Sequence, residues 1–110
     1  MNSSVLPRLQ AYIDANIDSP LRVVALSTEA GTSLAHFSRG FRRYFGMTPH
    51  AFVMERRLAR ARELLVHSEL SLCEIAALTG HADQAHLTRR FRIVMGTTPL
   101  RYRLQSRQAG

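Results

Sequence analysis

A fifteen-residue stretch occurs twice in this chain, and that repetition limits its architecture more than any other feature. Ala35-His36-Phe37-Ser38-Arg39-Gly40-Phe41-Arg42-Arg43-Tyr44-Phe45-Gly46-Met47-Thr48-Pro49 returns fifty residues later as Ala85-His86-Leu87-Thr88-Arg89-Arg90-Phe91-Arg92-Ile93-Val94-Met95-Gly96-Thr97-Thr98-Pro99. Ala, His, Arg, Phe, Arg, Gly, Thr and Pro recur in register. Two copies are too few for a solenoid. They imply two similar halves, each presenting one basic helix.

Helical periodicity sorts the side chains. At about 100° per residue, Phe37, Phe41, Tyr44 and Phe45 fall on one side, as do Leu87, Phe91, Val94 and Met95 in the second copy. Ala35, Arg39, Arg42 and Arg43 lie opposite, matched by Ala85, Arg89 and Arg92, with Ser38 and Thr88 at the edge. One such helix would be an ordinary solvated amphipath. The same outward residues found twice point to a shared ligand.

Charge narrows the ligand. The net charge is +7 and all fifteen basic residues are arginine, which binds phosphate and guanine bidentately where lysine offers a point charge. No Asp or Glu falls between Thr32 and Met54, and none follows Asp83. Both copies therefore lie free of negative charge, as a surface facing phosphates requires.

The flanking sequence supplies starts and stops. Ser3 or Ser4 is expected to cap a first helix with Val5, Leu9, Tyr12, Ile13 and Ile17 inward. Asp18-Ser19-Pro20 breaks it, and a short helix follows from about Arg22 to Ala30. Ser33 then caps the first arginine helix and Gly46 ends it. Thr48-Pro49 opens a long helix to about Val66, with Phe52 or Met54, Leu58, Ala61, Leu64 and Leu65 inward. Arg56, Arg57, Arg60 and Arg62 surround that stripe, with Glu55 and Glu63 as expected partners. Ser71-Leu72-Cys73-Glu74 forms a capping box for a second short helix carried by Ile75, Ala76, Ala77 and Leu78. Asp83 caps the second arginine helix, after a turn one residue longer than the first. Thr98-Pro99 starts a last helix through Leu104, and Gln105 to Gly110 is expected to fray.

The expected fold is all-α, about seven helices, with a first helix-turn-helix subdomain over 1–47, a linker helix over 48–66 and a second subdomain over 67–110. This arrangement resembles the DNA-binding domain of the AraC/XylS family of bacterial transcription regulators, of homeodomain-like fold. The resemblance rests on Ile75-Ala76, Gly80, Asp83, Leu87, Arg89, Phe91, Gly96, Pro99 and Tyr102-Arg103, with Arg57-Leu58, Ala61 and Leu64-Leu65 matching the linker helix. Three positions depart from the family pattern. Arg22 stands where a Ser or Thr cap is usual, Ser27 replaces a common Ala, and His81 replaces a Phe. The last is expected to loosen packing or add a pH-sensitive group.

The resemblance implies a monomer that places two recognition helices, about 34–45 and 84–95, in successive major grooves of double-stranded DNA. Residues near the start of such helices reach base edges. Ala35, Ser38 and Arg39, with Gln84, Ala85, Thr88 and Arg89, are the expected base contacts. Arg42, Arg43 and Arg92 are expected on phosphates, and His36 and His86 flank the faces as further candidates. The family implies transcription activation through RNA polymerase, with repression as the alternative, and dimerisation only through a companion N-terminal domain. No cofactor or metal is expected.

Rival classes fare worse. An enzyme lacks a nucleophile elbow, a glycine-rich phosphate loop or paired carboxylates. His81, Asp83 and His86 fit no standard zinc spacing, and Cys73 is the single thiol. A basic membrane-surface protein would not need capped turns and full inward stripes. An RNA-binding protein would need outward aromatics for stacking, and none is expected here. No apolar run approaches the ~20 residues of a membrane span, and no signal peptide is legible, so the expected setting is the cytoplasm.

Overall fold

The computed structural model describes residues 5–109. The expected cap at Ser3 or Ser4 lies outside them. Seven helices follow one another: α1 (Val5–Ala15), α2 (Val23–Glu29), α3 (Leu34–Phe45), α4 (Pro49–His67), α5 (Leu72–Leu78), α6 (Gln84–Met95) and α7 (Pro99–Ala109). No strand occurs among the described residues. The chain divides into two compact units, Met1–Arg56 and Arg57–Gly110, with the division inside α4.

Unit 1 packs α1, α2, α3 and the opening of α4 around Leu9, Ile13, Ile17, Leu26, Phe37, Phe41 and Val53. Its centre is aromatic. The Phe41 ring lies 4.4 Å from Phe45, 5.4 Å from Phe52 and 5.5 Å from Phe37, centroid to centroid. The Arg56 guanidinium grips both carboxylate oxygens of Asp14 at 2.8 and 2.9 Å, tying α4 to α1. Both partners are part-exposed, so this pair contributes about 0–1 kcal/mol.

Unit 2 repeats the plan with other residues. The second part of α4 takes the place of α1, and Leu58, Ala61 and Leu65 meet Ile75, Ala76, Leu87 and Phe91. Phe91 and Tyr102 make an edge contact at 5.4 Å and 71°, against 5.4 Å and 78° for Phe41 and Phe52. Thr48 Oγ1 accepts from Ala51 N–H at 3.2 Å and Thr98 Oγ1 from Arg101 N–H at 3.1 Å, so α4 and α7 start alike. Pro49 and Pro99 follow, both buried, where a missing N–H costs nothing.

Helix ends follow local chemistry. Gly46 and Gly96 close α3 and α6 at φ 73°, in the left-handed region where a β-carbon is strained. Ser71 and Glu74 complete the capping box of α5. Arg22 gives α2 no side-chain cap, so that helix starts with its first amides unserved, as expected from the residue present.

Three expectations fail. Tyr44 and Val94, placed inward by periodicity, are 54% and 48% exposed. Each buried stripe runs i, i+4, i+8, through Phe37, Phe41 and Phe45 or Leu87, Phe91 and Met95. The next helix covers it from that side, Phe52 lying 4.7 Å from Phe45, which leaves the i+7 position open. Of the residues expected to carry α5, Ile75 and Ala76 are buried but Ala77 and Leu78, in its last turn, are exposed. Lastly, α7 does not fray after Leu104 but runs to Ala109. Long-range contacts hold it: Arg107 meets Glu69 at 2.8 Å, and Arg103 donates to the carbonyls of Leu64, Leu65 and Ser68 at 3.0–3.4 Å. Those carbonyls end α4, where a cation is favourable.

Candidate nucleic-acid interface

The geometry of each arginine helix is set by its preceding turn. Ser33 Oγ accepts from His36 N–H at 3.3 Å and Asp83 Oδ1 accepts from His86 N–H at 2.8 Å. Both caps sit three residues before the amide they serve, so Leu34 and Gln84 open their helices in equivalent positions. The extra residue of the second turn is real. Four residues, Ala30 to Ser33, separate α2 from α3, and five, Thr79 to Asp83, separate α5 from α6. Thr32 N–H donates to Ser27 O at 3.1 Å and His81 N–H to Ala76 O at 2.9 Å, which makes His81 the counterpart of Thr32 and Ala82 the insertion.

Burial then runs in parallel along the two helices. Phe37 and Leu87 are buried, Ser38 and Thr88 half-buried, Arg39 and Arg89 exposed, Phe41 and Phe91 buried, Arg42 and Arg92 exposed. Ala35, Ala85, Gln84 and Arg43 are exposed too. All the base and phosphate candidates therefore reach the surface at least in part. On α6, Gln84, Ala85, Thr88, Arg89, Arg92 and Ile93 line one open depression. On α3, His36, Arg39, Gly40, Arg43 and Tyr44 line another.

Two residues on these faces were not foreseen. Ile93 is 72% exposed between arginines, in the place that Arg43 holds in the first copy. Tyr44 is more than half exposed and lines the same depression as Arg39 and Arg43, so an outward aromatic does exist here. Periodicity pointed at neither, because it ranks angles and not cover.

The two histidine candidates part company. His36 is exposed. His86 is half-buried, its Nδ1 accepting the Ala82 N–H at 3.3 Å, and its ring sits 5.4 Å from His81. This ring atom serves the turn rather than a ligand.

His81, flagged as a departure, is 5% exposed. Thr79 Oγ1 donates to Ile75 O at 2.7 Å, so the 2.9 Å contact with His81 Nδ1 is one in which the imidazole N–H donates. Nε2 is then the unprotonated atom, enclosed with no partner among the described residues. Burial drops the imidazole to about 4, and the nearby charges of His86, Arg57 and Arg90 push the same way. Burial also lowers the Arg57 guanidinium. His81, Asp83 and His86 do not converge on a common point: Asp83 serves an amide and both rings serve the turn. No cluster of three or more metal-ligating side chains occurs among the described residues. No helix there is long and apolar enough to cross a membrane.

Two paired helices of seven and twelve residues, each second helix capped and basic on its outer face, define a helix-turn-helix protein. The profile of a family described as a helix-turn-helix domain matches residues 26–105. The chain belongs to the AraC/XylS family of transcription regulators. It is 32% identical over 96 residues to the HTH-type transcriptional regulator ExsA of Pseudomonas aeruginosa, covering 87% of this chain and 34% of that protein. It is 31% identical to the virulence regulon transcriptional activator VirF of Yersinia enterocolitica, covering 88% and 36%. The chain thus spans about a third of the length of these curated relatives. Among solved structures, an AraC-type regulator from Chromobacterium violaceum superposes with a TM-score of 0.86 at 30% identity, covering 99% of this chain and all of that one. The DNA-binding domain of AdpA, solved in complex with a target DNA, gives 0.87 at 28%, covering 94% of each. Both curated relatives are described as transcriptional regulators or activators.

Proposed function

We propose that this chain binds double-stranded DNA sequence-specifically as a monomer, with α3 and α6 each entering a major groove, one helical turn apart. What carries the reading is the matched outer faces: Ala35, Arg39 and Arg42 recur as Ala85, Arg89 and Arg92, exposed alike on two capped helices free of acid. The AdpA domain, similar in fold and sequence, was solved on its DNA. Within this reading the helices are the subdomains' readers and α4 is their linker.

Ala35, Ser38, Arg39, Gln84, Ala85, Thr88 and Arg89 meet base edges. Arg39 and Arg89 suit guanine O6/N7, Gln84 suits adenine N6/N7, and the alanine methyls suit thymine methyls. Arg42, Arg43 and Arg92 meet phosphates, and the Tyr44 hydroxyl adds a neutral donor beside them. His36 stays available for the same face. The protein works in the bacterial cytoplasm on the nucleoid, as an activator that contacts RNA polymerase, and pairs only through a companion domain.

Selection from a random duplex pool, followed by footprinting, tests the reading. It expects one asymmetric site with two protected patches ~34 Å apart, bound with a log K versus log salt slope near −5 for about six phosphates. Arg39→Ala and Arg89→Ala each relax one base position, by ~1–3 kcal/mol. Uniform weakening on all sequences would reassign that arginine to the backbone.

A further inference from the structure

Beyond the residues assigned above, the two arginine helices differ at their first position. Leu34 directly follows the Ser33 cap and Gln84 directly follows the Asp83 cap, so the two side chains leave the first turn at the same place. Gln84 lines the depression shared by Ala85, Thr88 and Arg89. Leu34 is 46% exposed and lies outside the core of its unit. An exposed leucine by itself calls for no explanation. This one, however, sits at the leading end of a helix, next to Ala35 and one turn before Ser38 and Arg39, where side chains meet base edges.

The major groove offers such a side chain one apolar feature, the C5-methyl of thymine, whereas a carboxamide in its place pairs with adenine N6/N7. The flanking readers are the same in both helices: alanine at the second position and arginine at the sixth. We infer that Leu34 is a specificity-determining residue that reads a thymine methyl at the step where Gln84 reads adenine in the other half-site. The target is then a pair of like half-sites that share the guanine under Arg39 and Arg89 and differ by thymine against adenine at one equivalent step. This inference rests on the DNA-binding reading proposed above.

The test selects sites from a random duplex pool with the whole chain and with two variants, Leu34→Gln and Gln84→Leu. In Leu34→Gln, one column of one half-site moves from thymine to adenine, with a preference change of about tenfold. Gln84→Leu makes the opposite move in the other half-site only. Replacing the thymine by deoxyuridine, which removes the methyl alone, weakens the unaltered chain about fourfold and leaves Leu34→Gln unaffected. If the unaltered chain selects a site but neither column moves, and deoxyuridine has no effect, the Leu34 assignment is overturned while DNA binding stands. If it selects no duplex sequence, the DNA reading itself falls. The deoxyuridine arm needs no variant, so a misfolded variant, visible by circular dichroism, leaves the assignment testable.

Discussion

Four aromatic rings, Phe37, Phe41, Phe45 and Phe52, support the arginine helix of unit 1, whereas Leu87, Phe91, Met95 and Tyr102 do so in unit 2, with a single ring pair. The outer faces meanwhile stay nearly the same. Interiors accept exchanges of similar volume when the apolar pattern is kept, and an outer face has no packing reason to repeat. What persists between the two units is therefore the part that meets something else. Their turns differ as well: Thr32 in the first is matched in the second by buried His81 plus an inserted Ala82.

Truncating the central rings gives the largest test of that contrast. Phe41→Ala and Phe91→Ala should each cost about 3–5 kcal/mol, with Phe41→Ala at the upper end because its ring meets three others. Urea unfolding measures both. A larger loss for Phe91→Ala would show that ring clustering is not what distinguishes the cores.

Acid should separate the units next. His81 stays neutral in the fold down to about pH 4, while the unfolded imidazole titrates near 6.5. Between those values the unfolded chain holds a proton that the folded one lacks, so unit 2 loses stability as the pH falls through that window and recovers it as the pH rises. The charges that act on the ring, those of His86, Arg57 and Arg90, are all positive and oppose its protonation. The loss approaches roughly 3 kcal/mol at the acid end. His81→Phe should remove this slope in denaturant titrations at each pH, and an unchanged slope would clear His81 of the effect.

Capping comes third. Ser71→Ala should destabilise α5 by about 1 kcal/mol, and Arg22→Ser should stabilise α2 by up to about that amount, since one helix has a cap and the other lacks one. Thermal melts of the two variants should shift in opposite directions. Smallest is an electrostatic asymmetry. Arg43→Ala should make the log K versus log salt slope shallower by about 0.9, while Ile93→Ala leaves it unchanged. Equal slopes for both variants would remove Arg43 from the phosphate contacts.

Much of this architecture is legible from short-range rules. Ser33, Ser71 and Asp83 declare helix starts because a cap bond spans three residues, and Gly46 and Gly96 declare ends because the left-handed backbone excludes most side chains. The exposure of Arg39, Arg42, Arg89 and Arg92 follows from helical period and the cost of burying charge. The misses are all long-range. Tyr44 and Val94 are open because of which helix comes next, a matter of tertiary cover. The tail of α7 is held by Glu69 and the end of α4, more than thirty residues away. His81 is buried beside Thr79 and His86, with the charges of Arg57 and Arg90 acting on it, and a single unusual residue in a turn gives no hint of that setting.

One helix, α4, supplies Val53 to the first core and Leu58, Ala61 and Leu65 to the second. An insertion near Arg56–Arg57 would therefore fall between the α4 residues of one core and those of the other. A cut at the boundary, between Arg56 and Arg57, would leave each core its own α4 residues but would turn a continuous helix into two short ends, Pro49–Arg56 on one fragment and Arg57–His67 on the other.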